Sequence, residues 1–61
     1  MDSWSKGDLL RSKEYSYDYV IFISYNPENP DWFIGTDTDG ITYEDWVVDK
    51  FERVRKANEQ D

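Results

Sequence analysis

The side chains that could do chemistry in this 61-residue chain are mainly carboxylates. It contains 14 Asp and Glu residues, 7 Lys and Arg residues, and no His or Cys. Without His or Cys it cannot build the usual Ser–His or Cys–His nucleophile pairs or the common zinc sites. Paired carboxylates could still act as acid and base, but such catalysis needs a sheltered pocket, which so short a chain is not expected to form. We therefore predict no enzymatic activity and no cofactor.

One acidic turn invites comparison with a calcium-binding loop. Asp37 and Asp39 precede Gly40, and an EF-hand loop places Gly at its sixth position, between an acid at the first and a Glu at the twelfth. In that register Gly35 would be first and Trp46 twelfth, so the pattern fails and we predict no metal site. A weak cation site formed by Asp37, Asp39 and Glu44 remains an alternative to a solvated turn.

The acidic residues are separated from the basic ones along the chain. Residues 14–49 carry nine acids and no Lys or Arg, whereas residues 50–58 carry a net charge of +3. The total of −7 should repel nucleic acids and anionic membranes and attract basic surfaces. A solubilising surface normally mixes both signs, so the separation favours a binding role.

Aromatic residues lie among these acids, as they do in many protein interfaces. We predict that the chain is a small acidic inhibitor or adaptor that docks on a basic protein such as a nuclease, a polymerase or their regulator. In this role its carboxylates would take the places of nucleic-acid phosphates. In size and charge the chain resembles small host-takeover and anti-defence proteins of bacteriophages. The predicted partner-binding residues are Asp31, Trp32, Asp37, Asp39, Glu44, Asp45 and Asp49.

The elements that must position these residues follow from local patterns. Residues 15–25 are mostly β-branched or aromatic and predict a strand, with Tyr15, Tyr17, Tyr19, Ile21, Ile23 and Tyr25 on its core face. Two Asn-Pro steps then end this strand and predict a turn. Residues 32–36 predict a second, antiparallel strand, residues 36–40 a turn in which Gly40 takes positive φ, and residues 41–42 a brief third strand or a helix entry.

A helix is predicted to follow. Thr42 is a suitable N-cap with Glu44 and Asp45 in the first turn, and the apolar residues Tyr43, Val47, Phe51 and Val54 are spaced to form one helical stripe. The predicted fold class is therefore α+β, a small antiparallel two- to three-stranded sheet packed against one C-terminal helix. Its organisation is an N-terminal arm or short helix over residues 1–13, a ββ(β)α mini-domain over 14–57 and a polar tail over 58–61.

Two other functions remain open. An exposed strand edge could pair with another copy or another protein's sheet, which would make the chain a self-assembling module or homodimer with merely solubilising acids. A metal- or ligand-binding mini-domain is the third reading. The N-terminal residues have no apolar signal sequence, so we expect a cytoplasmic protein that contacts neither membrane nor nucleic acid directly. The Met1 start and polar end suggest a complete gene product.

Overall fold

The structure, a computed structural model, describes residues 3–57. Its elements are β1 (Leu9–Ser12), β2 (Tyr19–Tyr25), β3 (Trp32–Asp37), β4 (Thr42–Val47), a 3₁₀ turn (Val48–Lys50) and β5 (Phe51–Arg55). All strand pairs are antiparallel, and the order across the sheet is β4-β3-β2-β1-β5. Consecutive strands thus pair until β5, which returns to the opposite edge beside β1.

The predicted α+β fold is wrong, because the described chain contains no α-helix. The segment expected to be helical forms β4, the 3₁₀ turn and β5 instead. Seven of the 13 residues from 42 to 54 are β-branched or aromatic, and these types favour strands. As strands they pair with β3 and β1, which satisfies the backbone hydrogen bonds along one edge of each strand and brings Trp46 and Phe51 to the core.

The sheet is strongly curled around one core, which is formed by Leu10, Val20, Phe22, Phe33 and Phe51. Phe33 in β3 and Phe51 in β5 are three strands apart, about 14 Å in a flat sheet, yet their ring centroids are 5.4 Å apart. Register shifts in the β1–β5, β2–β3 and β3–β4 pairs supply the local bends that such curvature requires.

The predicted core face of the second strand is wrong for residues 15–22. Val20 and Phe22 are buried, whereas Ile21 is 42% exposed. The tyrosines of the β1–β2 loop lie outside: Tyr17 is 77% exposed. A period of two allows either face to point inward, and here Val20 and Phe22 point inward. The register shift after Phe22 then places Tyr25 on the core side, with its ring centroid 4.9 Å from that of Phe22.

The segment predicted to be an arm or a short helix contains β1 and a tight turn. Gly7 has φ of +96°, and the Asp8 amide donates to the Ser5 carbonyl at 2.9 Å. Trp4 packs against the core from this segment. Residues 1–2 of the predicted arm and the predicted polar tail, 58–61, lie outside the described residues.

The predicted turns are confirmed. Gly40 has φ of +83°, and the Asp37 side chain accepts hydrogen bonds from the amides of Asp39 and Ile41 at 2.9 and 3.0 Å. Asp37 therefore has a structural role in holding the β3–β4 turn.

Candidate functional site

An open groove of about 520 Å³ lies between the β2–β3 loop and the edge strand β4. Its lining comes from Asn26, Pro27, Glu28, Asn29, Trp32, Ile34, Glu44 and Asp45. The Trp32 side chain is 39% exposed. It points away from the core, on the face of β3 opposite to that of the buried Phe33. The lining has three carboxylates and no Lys or Arg, so the groove has a charge of −3.

The wall formed by the β2–β3 loop is fixed by side-chain hydrogen bonds. The Asn26 Oδ1 atom accepts from the Glu28 amide at 2.8 Å, and Asn29 Oδ1 accepts from the Asp31 amide at 3.0 Å. These are Asx turns, which replace backbone pairing where proline removes donors. The backbone N–H of Asn26 also donates to the Trp32 carbonyl at 3.0 Å. This bond closes the loop at the start of β3.

Asn26 also joins the two walls. Its Nδ2 donates to the Glu44 carbonyl at 2.9 Å, across the groove on β4. One side chain thus holds the loop at one end and the edge strand at the other. Asn26 is a positioning residue for both the Glu28 and the Glu44 sides of the groove.

The opposite wall contains a β-bulge that turns two consecutive acids toward the same space. Phe33 pairs with Trp46 and Gly35 pairs with Tyr43, which leaves Ile34 opposite both Glu44 and Asp45. Consecutive side chains of a regular strand point to opposite faces, whereas a bulge re-aims one of them. Both carboxylates therefore line the groove together with Ile34.

The three groove carboxylates have no ion-pair or hydrogen-bond partner within residues 3–57. Ion pairs in this part of the chain join Arg11 to Glu52 and Arg53 to Asp8, away from the groove. Within that same part of the chain, the side chains of Glu28, Glu44 and Asp45 form no hydrogen bond. Their acceptor oxygens are available to an incoming cation.

The predicted site residues separate into three places. Trp32, Glu44 and Asp45 line the groove, and Asp31 lies beside it, where its carbonyl accepts from the Val48 amide at 2.9 Å. Asp37 and Asp39 occupy the β3–β4 turn, and Asp37 is three residues along β3 from Ile34 of the groove, a distance of about 10 Å. Asp49 faces another, smaller groove lined by Lys13, Glu14, Asp49 and Lys50.

Sequence reasoning missed the contributions of the loop and of Ile34. The two Asn-Pro steps correctly predicted turns before Trp32, but assigning residues 43–56 to a helix removed the strand that forms the second wall. With β4 paired to β3, Glu44 lies opposite Ile34 and beside Asn26. In residues 3–57 no three acidic side chains converge closely enough to hold a metal ion.

Comparisons with known proteins add no assignment. No protein-family model matches the chain, and no curated protein or solved structure matches it. Residues 3–57 include no helix long and apolar enough to cross a membrane.

Proposed function

We propose that the chain is a small protein-binding inhibitor or adaptor, and that its acidic, tryptophan-containing groove docks on a cationic segment of a partner protein. The supporting observation is that Glu28, Glu44 and Asp45 line one groove together with a partly exposed indole, Trp32. A partly exposed aromatic anchor surrounded by charge is typical of a protein interface. Opposite charges would also accelerate association.

The partner class follows from charge. Extended cationic surfaces are commonest on proteins that handle nucleic acids, where they neutralise phosphates. A nuclease, a polymerase or one of their regulators is therefore the proposed target. The acids form a groove cluster and a separate turn cluster about 10 Å apart along β3, and they do not form one continuous row, so docking through the groove has more support than mimicry of a regular row of phosphates.

The structure gives less support to self-assembly through a strand edge. The outer edge of β4 carries Glu44 and Asp45 at its bulge, and charges and bulges both discourage edge-to-edge pairing. The outer edge of β5 carries Glu52, Arg53 and Arg55 and a register shift near Val54. Neither edge is a flat apolar strand.

The test is direct binding to purified nucleases and polymerases with exposed basic surfaces, at about 50 and about 300 mM NaCl. The variant Glu44→Gln/Asp45→Asn removes two groove charges. Its matched control, Glu14→Gln/Asp18→Asn, removes the same charge from the β1–β2 loop, outside this groove. We expect salt-sensitive binding that the groove variant loses and the control retains. Binding that is insensitive to salt, or equal for both variants, would contradict the proposal, as would no binding across the panel.

A further inference from the structure

We propose that the groove is selective for arginine, and that it receives one guanidinium group from an extended segment of the partner protein. This inference rests on the proposed function and specifies the chemistry that the groove recognises. Its starting point is the combination in one cavity of an exposed indole, Trp32, with the bulge carboxylates Glu44 and Asp45.

The charge of the groove requires a cation as its occupant. Glu28, Glu44 and Asp45 contribute three negative charges to one space of about 520 Å³, and its lining holds no basic side chain. Because their carboxylate oxygens form no hydrogen bond within residues 3–57, a ligand does not have to displace an existing partner. An acidic or neutral apolar segment would leave these charges without compensation.

Arginine matches the groove better than lysine does because of its shape. A guanidinium is planar, stacks on aromatic faces and presents several N–H donors in a fixed fork. A guanidinium stacked on Trp32 would keep its own N–H edges available to the carboxylates. Paired N–H···O contacts of this kind are among the strong charge-assisted hydrogen bonds. A lysine ammonium is a strongly hydrated point charge without a planar face. It could not stack on the Trp32 ring and donate paired hydrogen bonds to the carboxylates at the same time.

The bulge explains how two carboxylates can serve one ligand. In an unbulged β4, Glu44 and Asp45 would point to opposite faces of the sheet, and only one could reach a bound side chain. The extra residue opposite Ile34 brings both to the groove. The Asn26 hydrogen bonds to the Glu28 amide and the Glu44 carbonyl then fix the separation of the walls before any ligand arrives.

The experiment uses the full chain, labelled with ¹⁵N, and three blocked peptides that differ at one position. Their common sequence is acetyl-Gly-Gly-X-Gly-Gly-amide, where X is arginine, lysine or the neutral isostere citrulline. Binding is followed through the indole N–H of Trp32 and the backbone amides of Asn26, Glu28, Glu44 and Asp45. We expect saturable shifts with the arginine peptide, at least about fivefold weaker binding with lysine, and no saturable shift with citrulline.

Two variants assign the effect to the groove. Glu44→Gln/Asp45→Asn should weaken arginine binding at least about tenfold, which equals 1.4 kcal/mol, while Glu14→Gln/Asp18→Asn should leave it within about twofold. Trp32→Leu should reduce the preference for arginine over lysine. The amide spectrum of each free variant reports whether its fold is retained.

The outcomes separate this inference from the proposed function. Equal affinities for arginine and lysine would overturn arginine selectivity and leave a cation-binding groove in place. Shifts confined to the Asp37–Gly40 turn, or shifts that depend on protein concentration without peptide, would overturn the groove as the binding site. Absence of binding by both cationic peptides would overturn the inference, and the nuclease and polymerase panel then decides the proposed function separately.

Discussion

At the scale of single residues, Asp8 shows how a buried charge is accommodated in so small a core. It is 2% exposed, and its carboxylate accepts from the Ser5 amide at 2.8 Å, the Ala57 amide at 2.8 Å and the Arg53 guanidinium at 3.3 Å. Burial alone would raise the pKa of Asp8, but these hydrogen bonds and the Arg53 charge outweigh it, and the pKa lies below its ordinary value. The carboxylate therefore joins the start of the fold to its last strand.

The lowered pKa predicts a pH dependence of stability. A carboxyl with a lower pKa in the folded state stabilises the fold above its unfolded pKa of about 3.9 and loses that contribution as pH falls through the folded value. We expect Asp8→Asn to reduce the free energy of unfolding at pH 7 by roughly 2–3 kcal/mol. In urea titrations its difference from the wild type should shrink steadily between about pH 5 and pH 2.

The control for Asp8 is Asp39→Asn, which removes one charge from the exposed β3–β4 turn and should change stability by less than about 0.5 kcal/mol. A difference between wild type and Asp8→Asn that stays constant from pH 7 to pH 2 would mean that the charged form of Asp8 is not what stabilises the fold.

Gly35 is a second residue on which the core depends. A Cβ atom there would lie 2.5 Å from Val20 Cγ1 and 2.9 Å from the Ile21 carbonyl. Gly35→Ala should therefore lower the free energy of unfolding by about 1–3 kcal/mol, as overpacked cores do. Gly40→Asn is the matched control, since the space around Gly40 is open and Asn tolerates positive φ. Equal urea midpoints for Gly35→Ala and the wild type would show that β2 and β3 can separate at little cost.

At the scale of elements, local patterns predicted β2, within a longer strand, and all but the last residue of β3, whereas β1 lay in the segment predicted to be an arm or a short helix. The β2 and β3 segments are dense in aromatic and β-branched residues, and the Asp-Gly turn between β3 and β4 has a specific backbone requirement. The segment after Thr42 carried two patterns at once: a helical stripe through Tyr43, Val47, Phe51 and Val54, and a high content of strand-forming types. Pairing with β3 and β1 decided between them, and such long-range pairing is not visible in a local pattern.

The wrong assignment of a helix after Thr42 also limited prediction of the site. The predicted loop before Trp32 exists, and three of the predicted site residues, Trp32, Glu44 and Asp45, line one groove. Their convergence depends on a bulge in β4 and on Asn26 reaching that strand. Neither feature follows from residue spacing, because a bulge is defined only relative to the partner strand.

The edge strand β4 allows a prediction about self-association. If Glu44 and Asp45 keep this edge from pairing, Glu44→Thr/Asp45→Val should make it an apolar, strand-forming edge. We expect the variant to dimerise or aggregate with increasing concentration in sedimentation experiments, whereas Glu14→Gln/Asp39→Asn should behave like the wild type. A wild-type protein that already dimerises through β4 would instead favour the self-assembling module.

At the scale of the whole molecule, stability depends on aromatic rings that connect distant strands. Phe33 packs edge-on against Phe51 at 5.4 Å, and Trp46 packs against Phe51 at 5.6 Å. These contacts join β3, β4 and β5 across the curled sheet. A chain of this length buries only about 60% of the surface that its unfolded form exposes. Each ring therefore supplies a large share of the apolar area buried on folding.

Trp4 lies before β1 and packs on this ring cluster, with centroids 5.6 Å from Phe22 and 5.4 Å from Phe33. Its ring also stacks on Tyr25, whose hydroxyl accepts from the Trp4 amide at 2.8 Å. The N-terminal segment therefore covers one side of the core, and its removal would expose Phe22 and Phe33 to water. This makes the segment part of the folding unit.

We expect Trp4→Ala to lower the free energy of unfolding by about 2–4 kcal/mol, somewhat less than the loss for a fully buried aromatic, because Trp4 is only partly buried. Domains are stable by only about 5–15 kcal/mol, and a 61-residue chain should lie at the low end, so a measurable fraction of the variant should be unfolded at 25 °C. Thermal denaturation followed by circular dichroism measures this loss. Trp4→Phe keeps an aromatic ring and should recover more than half of the loss. If Trp4→Ala melts like the wild type, the strands alone close the core, and the N-terminal segment is a dispensable arm.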